Sequence, residues 1–328
     1  MGRVNLDLDA LTPSNLKLDQ FMSSCTPKIA ICLAAYNGKD WLAEQLDSIF
    51  AQEGVEVNII VSVDQSADGT EEWFNARAKV ESRITLLPHG YNFGCAARNF
   101  FRILRDADLS SFDYVGFSDQ DDIWFPNKLL RSIHVLLDAD ADAYSSNVLA
   151  FWPDGTKILI KKSQSQAKWD FLFEAGGPGC TYLMRKTFAC ALQEVVRCRW
   201  GEVQNVGMHD WFAYAFARAN NYKWVIDNAA SMLYRQHESN EVGANAGYQA
   251  FRFRIKQVLS GWWLGQAALI ARLIGLGNSP FVLRWASAGI FGDLYLALHA
   301  RHCRRRLRDK FIFSFLCLIL AINKIIRR

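Results

Sequence analysis

Residues 114–124, YVGFSDQDDIW, place three carboxylates directly after a short apolar segment. Tyr114–Phe117 has the length and the aromatic, apolar composition of a buried strand. Asp119, Asp121 and Asp122 follow within a few residues. Acidic clusters usually belong to solvated loops, but here a core strand leads directly into the acids. The stretch therefore predicts a strand whose end carries an acidic site.

The segments before this stretch alternate between apolar strands and amphipathic helices. Strands are predicted at 28–35, 55–63, 84–87 and 114–118, and helices at 39–51, from about Thr70, and at 93–107. Strands that alternate with helices of about 10–15 residues predict βαβ units. The fold prediction is therefore α/β, with a Rossmann-like, mostly parallel sheet flanked by helices.

Three of the predicted strands end in polar residues. The first ends in Tyr36-Asn37-Gly38, the second in Asp64 to Gly69, and the fourth in Asp119 to Asp122. Because ligands in such sheets bind beyond the carboxyl ends of the strands, these residues are expected to line one site. Clustered carboxylates favour Mg²⁺ or Mn²⁺, since both take oxygen ligands and Mg²⁺ often bridges to phosphates.

Several common site motifs are absent from the sequence. It contains no G-x-x-x-x-G-K-[ST], no G-x-G-x-x-G after the first strand, no G-x-S-x-G and no H-E-x-x-H. These absences argue against a P-loop NTPase and a dinucleotide dehydrogenase. The eight cysteines form no C-x-x-C pair, which fits a reducing cytoplasm. A metal-dependent reaction on a phosphorylated ligand is what remains.

Charge is distributed unevenly along the chain. Residues 1–250 contain 23 Lys and Arg against 31 Asp and Glu, whereas residues 251–328 contain 14 against 2. A basic tail suggests nucleic acid or an anionic membrane surface as partner, and we expect the membrane. The last apolar run, 311–326, is shorter than the roughly 20 residues that cross a bilayer. Helices lying in an anionic interface are predicted, with a short spanning helix or a dimer face as alternatives.

The order of motifs over roughly residues 28–240 resembles the family 2 inverting glycosyltransferases with a GT-A fold. The segments that carry the resemblance are IAICLAAYNG (29–38), VSVDQSADGT (61–70), NFGCAARN (92–99), FSDQDDIWFPNKL (117–129) and MHDW (208–211). YRQHESNEVGAN (234–245) is most similar to bacterial rhamnosyltransferases. The sequence departs from the family at Gln65, where a second Asp is common, and at His209, where a Glu is common.

The resemblance implies a nucleotide-sugar site at the strand ends. Tyr36 would pack on the base, with Asn37 nearby, and Asp64 would accept a hydrogen bond from N3–H of uracil or thymine. Asp119 would contact the ribose or the sugar. The remaining members of the implied nucleotide-sugar site are Arg98, Asn99 and Arg235, of which the last could pair with the diphosphate.

The resemblance also implies a metal and a catalytic base. Asp121 would ligate the divalent ion, His237 would approach the metal or the diphosphate, and Asp122 would mainly hold the loop. Asp210 would deprotonate the acceptor hydroxyl in a single in-line displacement at the anomeric carbon. A positioned base contributes on the order of 10²–10⁴ in rate, and a metal stabilises a leaving diphosphate.

The sequence thus predicts an inverting, metal-dependent glycosyltransferase. The expected donor is a nucleoside-diphosphate sugar, with dTDP-rhamnose the leading candidate, and the expected acceptor is a lipid-linked saccharide of a bacterial surface polysaccharide. The expected location is the cytoplasmic face of the inner membrane, peripheral or shallowly inserted. The predicted segments are a leader (1–27), the catalytic domain (28–245) and a helical region for membrane association or oligomerisation (246–328). A metal-dependent nucleotidyltransferase and a non-catalytic membrane scaffold are the alternatives.

Overall fold

The computed structural model describes residues 26–237 and 260–326. In these ranges the chain forms one nine-stranded sheet with helices packed on both of its faces. The strands are β1 Lys28–Ala35, β2 Glu56–Val63, β3 Ile84–Leu86, β4 Tyr114–Ser118, β5 Ile123–Trp124, β6 Ala143–Phe151, β7 Lys157–Ile160, β8 Leu183–Arg185 and β9 Trp224–Arg235. The predicted leader lies almost wholly outside the described residues.

The helices form two groups along the chain. Those between strands are α1 Lys39–Phe50, α2 Thr70–Val80, α3 Ala96–Asp106, α4 Lys128–Asp138, α5 Lys186–Cys198, α6 Trp200–Val203 and α7 His209–Ala219. Those after the last strand are α8 Trp262–Leu273, α9 Pro280–Ala286, α10 Gly289–Leu298, α11 Ala300–Cys303 and α12 Leu307–Ile326. Short 3₁₀ turns cover Asp170–Leu172 and Gly179–Thr181.

The strand order is β3-β2-β1-β4-β8-β6-β9-β5, with β7 paired to β6. The half built from β1 to β4 is parallel, as the alternation of strands and helices predicts. The other half is mixed, because β8 runs antiparallel to both β4 and β6, and β6–β7 is a hairpin. The sheet is therefore more mixed than predicted, since the helical crossovers that enforce parallel strands occur mainly in the N-terminal half.

Strand order reverses between β1 and β4, which makes the space beyond their carboxyl ends the expected ligand crevice. Ala35 is in register with Val63, and Leu33 is in register with Ser118. The carboxyl ends of β1, β2 and β4 therefore lie next to one another at the same end of the parallel strands. We call the residues that follow these three strands the sheet edge.

The C-terminal helices share a hydrophobic core with the sheet domain. The ring of Phe173 contacts Trp263, Trp285 and Phe313, with centroids 5.7, 5.5 and 5.1 Å apart. Phe173 is buried, as are Trp285 and Phe313. Helices α8, α9 and α12 thus pack on the body of the protein.

Helix α12 contains the last apolar run of the sequence. Within 26–237 and 260–326, the structure has no helix with both the length and the hydropathy needed to cross a bilayer.

Candidate active site

Asp64 lies buried at the end of β2 and organises the loop that precedes α3. Its Oδ1 accepts hydrogen bonds from the backbone N–H of Phe93 (2.7 Å) and of Gln65 (2.9 Å). Its Oδ2 accepts one from Gly94 N–H (2.9 Å). A carboxylate offers about four lone-pair positions, so a position on Oδ2 is still available to a base N–H. Base recognition by Asp64 stays a prediction with a geometry that allows it.

Hydrogen bonds between side chains and backbone N–H groups join the residues after β1 to those after β2. Asn37 adopts a left-handed conformation (φ +46°), and its Oδ1 accepts from Ala67 N–H at 2.8 Å. Its own N–H donates to Ser66 Oγ (3.1 Å). The amide of Asn37 therefore shapes the loop, whereas Tyr36 beside it is 56% exposed. Of the two, Tyr36 has the side chain that a base can stack on.

Asn99 and Arg98 make different contacts although they are neighbours at the start of α3. Asn99 is buried, and its Nδ2 donates to Ala35 O (3.3 Å) and Ser62 O (3.1 Å), beneath the ends of β1 and β2. Arg98 is exposed, and its Nε donates to Gln204 O at 2.8 Å. The structure gives both residues supporting contacts, and their predicted contact with a nucleotide sugar stays a prediction.

Asp121 and His237 are brought together from 116 positions apart. Asp121 Oδ2 and His237 Nε2 are 2.7 Å apart, and the imidazole stacks on the ring of Trp41 at 4.1 Å and 13°. The two groups are hydrogen-bonded to each other in the structure, and a carboxylate oxygen and an imidazole nitrogen are both ligand types for a divalent ion such as Mn²⁺. The two residues that the resemblance assigns to the metal therefore share one place in the fold.

Asp122 points the other way, into the protein. Its carboxyl is buried and accepts from Arg235 N–H (3.1 Å). Burial, and then the charges of Asp121 and Asp119, raise the pKa of Asp122 well above its ordinary range. This environment supports the expectation that Asp122 holds the loop.

A second donor set includes Asp122, because ligand atoms of Asp119, Asp122 and Cys180 lie within 4.8 Å of one another. Burial is the largest cause that raises the pKa of the Cys180 thiol well above its ordinary range. A protonated, buried thiol is a poor metal ligand. Carboxylate oxygens suit Mg²⁺ and Mn²⁺ better than a thiol does, and the assignment of the metal to Asp121 and His237 stays a prediction.

Arg235 fastens the acidic loop to the rest of the fold. Its Nε donates to Asp121 O (2.7 Å), it forms an ion pair with Glu44, and its guanidinium lies over the ring of Phe151 at 4.7 Å. Its predicted pairing with a diphosphate stays a prediction. The contacts that the structure shows join the loop that carries the acids to α1 and to β6.

Asp210 lies in the first turn of α7, where a helix N-terminus favours a carboxylate. Its Oδ1 accepts from Trp211 N–H at 2.7 Å, and its backbone oxygen accepts from Tyr182 Oη at 3.3 Å. A Cβ added at Gly179 would be 3.2 Å from Asp210 Cβ. The next residue, Cys180, belongs to the cluster with Asp119 and Asp122. The predicted base and the acidic loop thus lie against the same turn.

His209, which replaces the common Glu, is a packing residue. Its ring stacks on Phe100 at 3.8 Å and meets Phe117 edge-on at 5.2 Å. Its Nε2 is buried with no hydrogen-bond partner among the described residues. Burial lowers the pKa of His209 to about 3, so the imidazole is neutral at physiological pH. It supports the start of α7 by packing between aromatic rings.

Residues 173–182, which we call the glycine loop, are held by a basic residue from the distant C-terminal region. Arg305 Nη2 donates to Ala175 O (2.7 Å), and its backbone N–H donates to Glu174 Oε1 (2.7 Å). The Arg305 side chain is 1% exposed and lies 3.5 Å from Asp170. One residue of the basic tail is therefore buried in ion pairs and unavailable to a membrane. No local sequence motif indicated this contact.

Residues 30–192 match the family model described as Glycosyl transferase family 2. The chain is 42% identical to dTDP-rhamnosyl transferase RfbG of Shigella flexneri, over 88% of this chain and 100% of that protein. It is 31% identical to UDP-Glc:alpha-D-GlcNAc-diphosphoundecaprenol beta-1,3-glucosyltransferase WfaP of Escherichia coli, over 33% and 41%.

Among solved structures, S. aureus TarS 1-349 in complex with UDP-GlcNAc is similar in fold. The TM-score is 0.51 at 14% sequence identity, over 92% of this chain and 88% of that chain. At this identity the likeness concerns the fold alone.

Proposed function

The chain belongs to glycosyl transferase family 2, and from that premise we propose that it transfers rhamnose from dTDP-rhamnose, with inversion, to a lipid-linked saccharide. The family and the α/β fold of the prediction are confirmed. The proposed donor is supported by similarity along the whole length of a dTDP-rhamnosyl transferase. The observation that carries the proposed mechanism is the Asp121–His237 pair at the sheet edge, with Asp210 against the adjoining turn.

On the donor side, the exposed ring of Tyr36 would stack on the base, and Asp64 would accept N3–H. Asp119 would contact the ribose or the sugar. Asp121 and His237 would hold Mg²⁺ or Mn²⁺, which would stabilise the charge that develops on the leaving diphosphate. The sheet edge thus supplies binding and charge stabilisation.

On the acceptor side, Asp210 would take the proton of the acceptor hydroxyl while the hydroxyl oxygen forms its bond to the anomeric carbon. The bond from that carbon to the diphosphate oxygen breaks in the same displacement, which inverts the configuration. Asp210 suits this role because it lies at the start of α7, against the glycine loop that adjoins the acidic loop. The carboxylate would thus act as the general base.

A donor screen tests the proposal. Purified protein is incubated with dTDP-, UDP- and GDP-sugars, Mn²⁺ or Mg²⁺ and a lipid-linked acceptor, and the released nucleotide is measured. We expect dTDP release from dTDP-rhamnose that Asp121→Ala abolishes, whereas Asp154→Ala, an exposed acid in the β6–β7 turn, retains it. Release of diphosphate from an NTP would instead favour the nucleotidyltransferase alternative. Unchanged transfer in both Asp121→Ala and Asp210→Asn would contradict the proposed site.

We further propose that an anionic membrane surface on the cytoplasmic side presents the lipid-linked acceptor. Helix α10 packs along α12, with Ser314 Oγ donating to Ala297 O at 2.9 Å. On the outside of α12, Phe311 and Phe315 are 70% and 63% exposed, and Ile322 continues the same stripe. The C-terminal helices carry the exposed cations Arg284, Arg301 and Arg308, and the last of these lies on α12 itself, beside Asp309. An apolar stripe with cations beside it matches a helix that lies in an anionic interface.

Liposome flotation tests the membrane proposal on the full chain. Replacing Phe311, Phe315 and Ile322 by Gln should reduce flotation with anionic vesicles by about tenfold or more, since each buried apolar side chain contributes roughly 1.5–3 kcal/mol. The matched control replaces Ile158 and Leu159, which are exposed on β7, by Gln. If flotation persists while the triple variant changes from dimer to monomer, the face is an oligomer interface.

A further inference from the structure

The crevice between β1 and β4 is bridged by a side chain that the motif reading did not single out. Gln120 Oε1 accepts from Tyr36 N–H at 2.7 Å, and Gln120 Nε2 donates to Tyr36 O at 2.8 Å. The strand pairing of β1 ends at Ala35, so Tyr36 lies beyond the ladder. The carboxamide therefore makes the pair of hydrogen bonds that a neighbouring strand would make, at the point where the strand order reverses.

The carboxamide occupies the space that a side chain at position 38 would enter, so a larger residue there would displace it. A Cβ added at Gly38 would be 2.8 Å from Gln120 Nε2 and closer still to Oε1 and Cδ. Gly38 has φ −114° and ψ 5°, a conformation that other residues adopt. The requirement for glycine is therefore one of space. Gly38 and Gln120 form a complementary pair across the crevice.

The bridge connects the two ends of the proposed donor site. Gln120 lies in the chain between Asp119 and Asp121, whereas its partner Tyr36 is the residue on which the base would stack. We propose that Gln120 is a positioning residue. It fixes the distance between Tyr36, where the base would stack, and Asp121, where the metal and the diphosphate would bind, and Gly38 leaves the space that the Gln120 side chain occupies. This inference rests on the proposed function, because it requires a nucleoside-diphosphate donor.

A positioning role and a folding role for Gln120 predict different effects on the KM values and on the yield of folded protein. Loss of the bridge leaves Asp210 and the glycine loop in place, so the KM of the acceptor should not change. The KM of the donor and the affinity for dTDP with Mn²⁺ should worsen together, because base and diphosphate can no longer be engaged at their best spacing. A purely structural role would lower the yield of folded protein without this separation.

A double-mutant cycle tests the inference on the full chain. The variants are Gln120→Ala, Gly38→Ala and both together, with Gly201→Ala as control because a Cβ there meets no atom within 4 Å. Binding of dTDP with Mn²⁺ is measured by calorimetry, and the KM values of donor and acceptor by steady-state kinetics. Each single change should weaken dTDP binding on the order of tenfold, and the double variant should be no weaker than Gln120→Ala, because the added Cβ then has nothing to displace.

Several outcomes would overturn the inference. They are unchanged dTDP binding in Gln120→Ala, effects of the two changes that multiply in the double variant, and an equal rise in the acceptor KM. If Gly38→Ala does not fold, recovery of folding in the double variant supports the pair, and failure of both contradicts it. A wild-type protein that binds neither dTDP nor UDP would contradict the proposed donor, and the pairing is then judged from the same cycle in urea midpoints.

Discussion

The sheet edge and the glycine loop meet at the candidate site, where Cys180 lies beside Asp119 and Asp122, but they are stabilised by different interactions. At the sheet edge, residues close to the strand ends bond to backbone groups of the neighbouring strand end, as Asn37 does with Ala67. In the glycine loop, a charged residue from 130 positions away holds the chain, because Arg305 donates to the backbone oxygen of Ala175 and forms an ion pair with Glu174. The first region rests on many short, individually modest hydrogen bonds. The second rests on a few buried charges.

This difference determines how much stability a single mutation should remove from each region. Removing one neutral hydrogen bond at the sheet edge costs little, because the others remain. Removing one partner of a buried ion pair leaves the other charge without compensation in a low-dielectric environment. Mutations should therefore separate the two regions by the size of their effect, and also by which substrate they affect.

The largest effect is expected from Asp210→Asn, which removes the proposed base while keeping the shape of the side chain. We expect kcat to fall on the order of 10²–10⁴, because the acceptor hydroxyl loses its proton acceptor. Binding of dTDP should stay unchanged, since the sheet edge is untouched. Steady-state kinetics with calorimetry measure both, and a loss of less than about tenfold would remove Asp210 from the mechanism.

Asp170→Ala should produce the largest loss of stability. Asp170 is buried, with Oδ1 3.0 Å from Arg218 and Oδ2 accepting from Tyr214 Oη at 2.8 Å. Its removal leaves Arg218 and Arg305 without that counter-charge. We therefore expect the free energy of unfolding, measured by urea titration, to fall by about 3–5 kcal/mol. Arg308→Ala, at an exposed position, should stay within about 0.5 kcal/mol. Similar values for the two variants would mean that the ion pairs contribute little.

His209 should make the start of α7 sensitive to acid. Its pKa is lowered from 6.5 to about 3 by burial, so below pH 6.5 the unfolded chain binds a proton that the folded chain does not. Stability is then fully present above pH 6.5 and is lost as the pH falls toward 3, by roughly 2 kcal/mol at about pH 5. Urea midpoints at about pH 7.5 and 5 should differ less in His209→Gln than in the wild type. The exposed control His89→Gln should keep the wild-type difference.

The smallest effect is expected at the sheet edge. Asn37→Gly keeps the left-handed conformation without strain but loses the bond from Ala67 N–H, so thermal unfolding should show a loss of about 0.5–1.5 kcal/mol. Asn221 also has a positive φ (+61°), at an exposed turn, and Asn221→Gly is the matched control. A loss above about 3 kcal/mol for Asn37→Gly would show that this edge, too, depends on a few dominant contacts.

The elements predicted from the sequence agree with the structure where the signal is local. The strands 28–35 and 114–118 have the predicted bounds, and residues 93–107 contain a helix that begins later, at Ala96. The long strand β9 pairs with β6 through a shift in register, which no single segment of the sequence indicates. Apolar runs show where strands lie, whereas pairing between distant segments depends on partners that no single segment specifies.

The residues of the candidate site likewise fall into those that the sequence indicates and those whose contacts only the structure shows. Asp64, Asp119 and Asp121 could be found because each follows a recognisable strand, and strand direction alone places them at one edge. The bridge from Gln120 to Tyr36 could not be found, because it joins residues 84 positions apart through a polar side chain that has no special spacing. Arg305 was assigned to the basic tail, since charge counts do not distinguish a buried arginine from an exposed one.

The sequence by itself determined the parallel βαβ half of the sheet, the strand ends that carry the acids, and the family. These are features of segments a few residues long, for which hydrophobic pattern and motif order suffice. Only the tertiary structure decided that Asp121 meets His237, that Asp122 turns inward, and that Arg305 supports the loop beside Asp210. Each of these contacts joins residues far apart in the chain, so it exists only after the core has closed and burial has fixed which charges must pair.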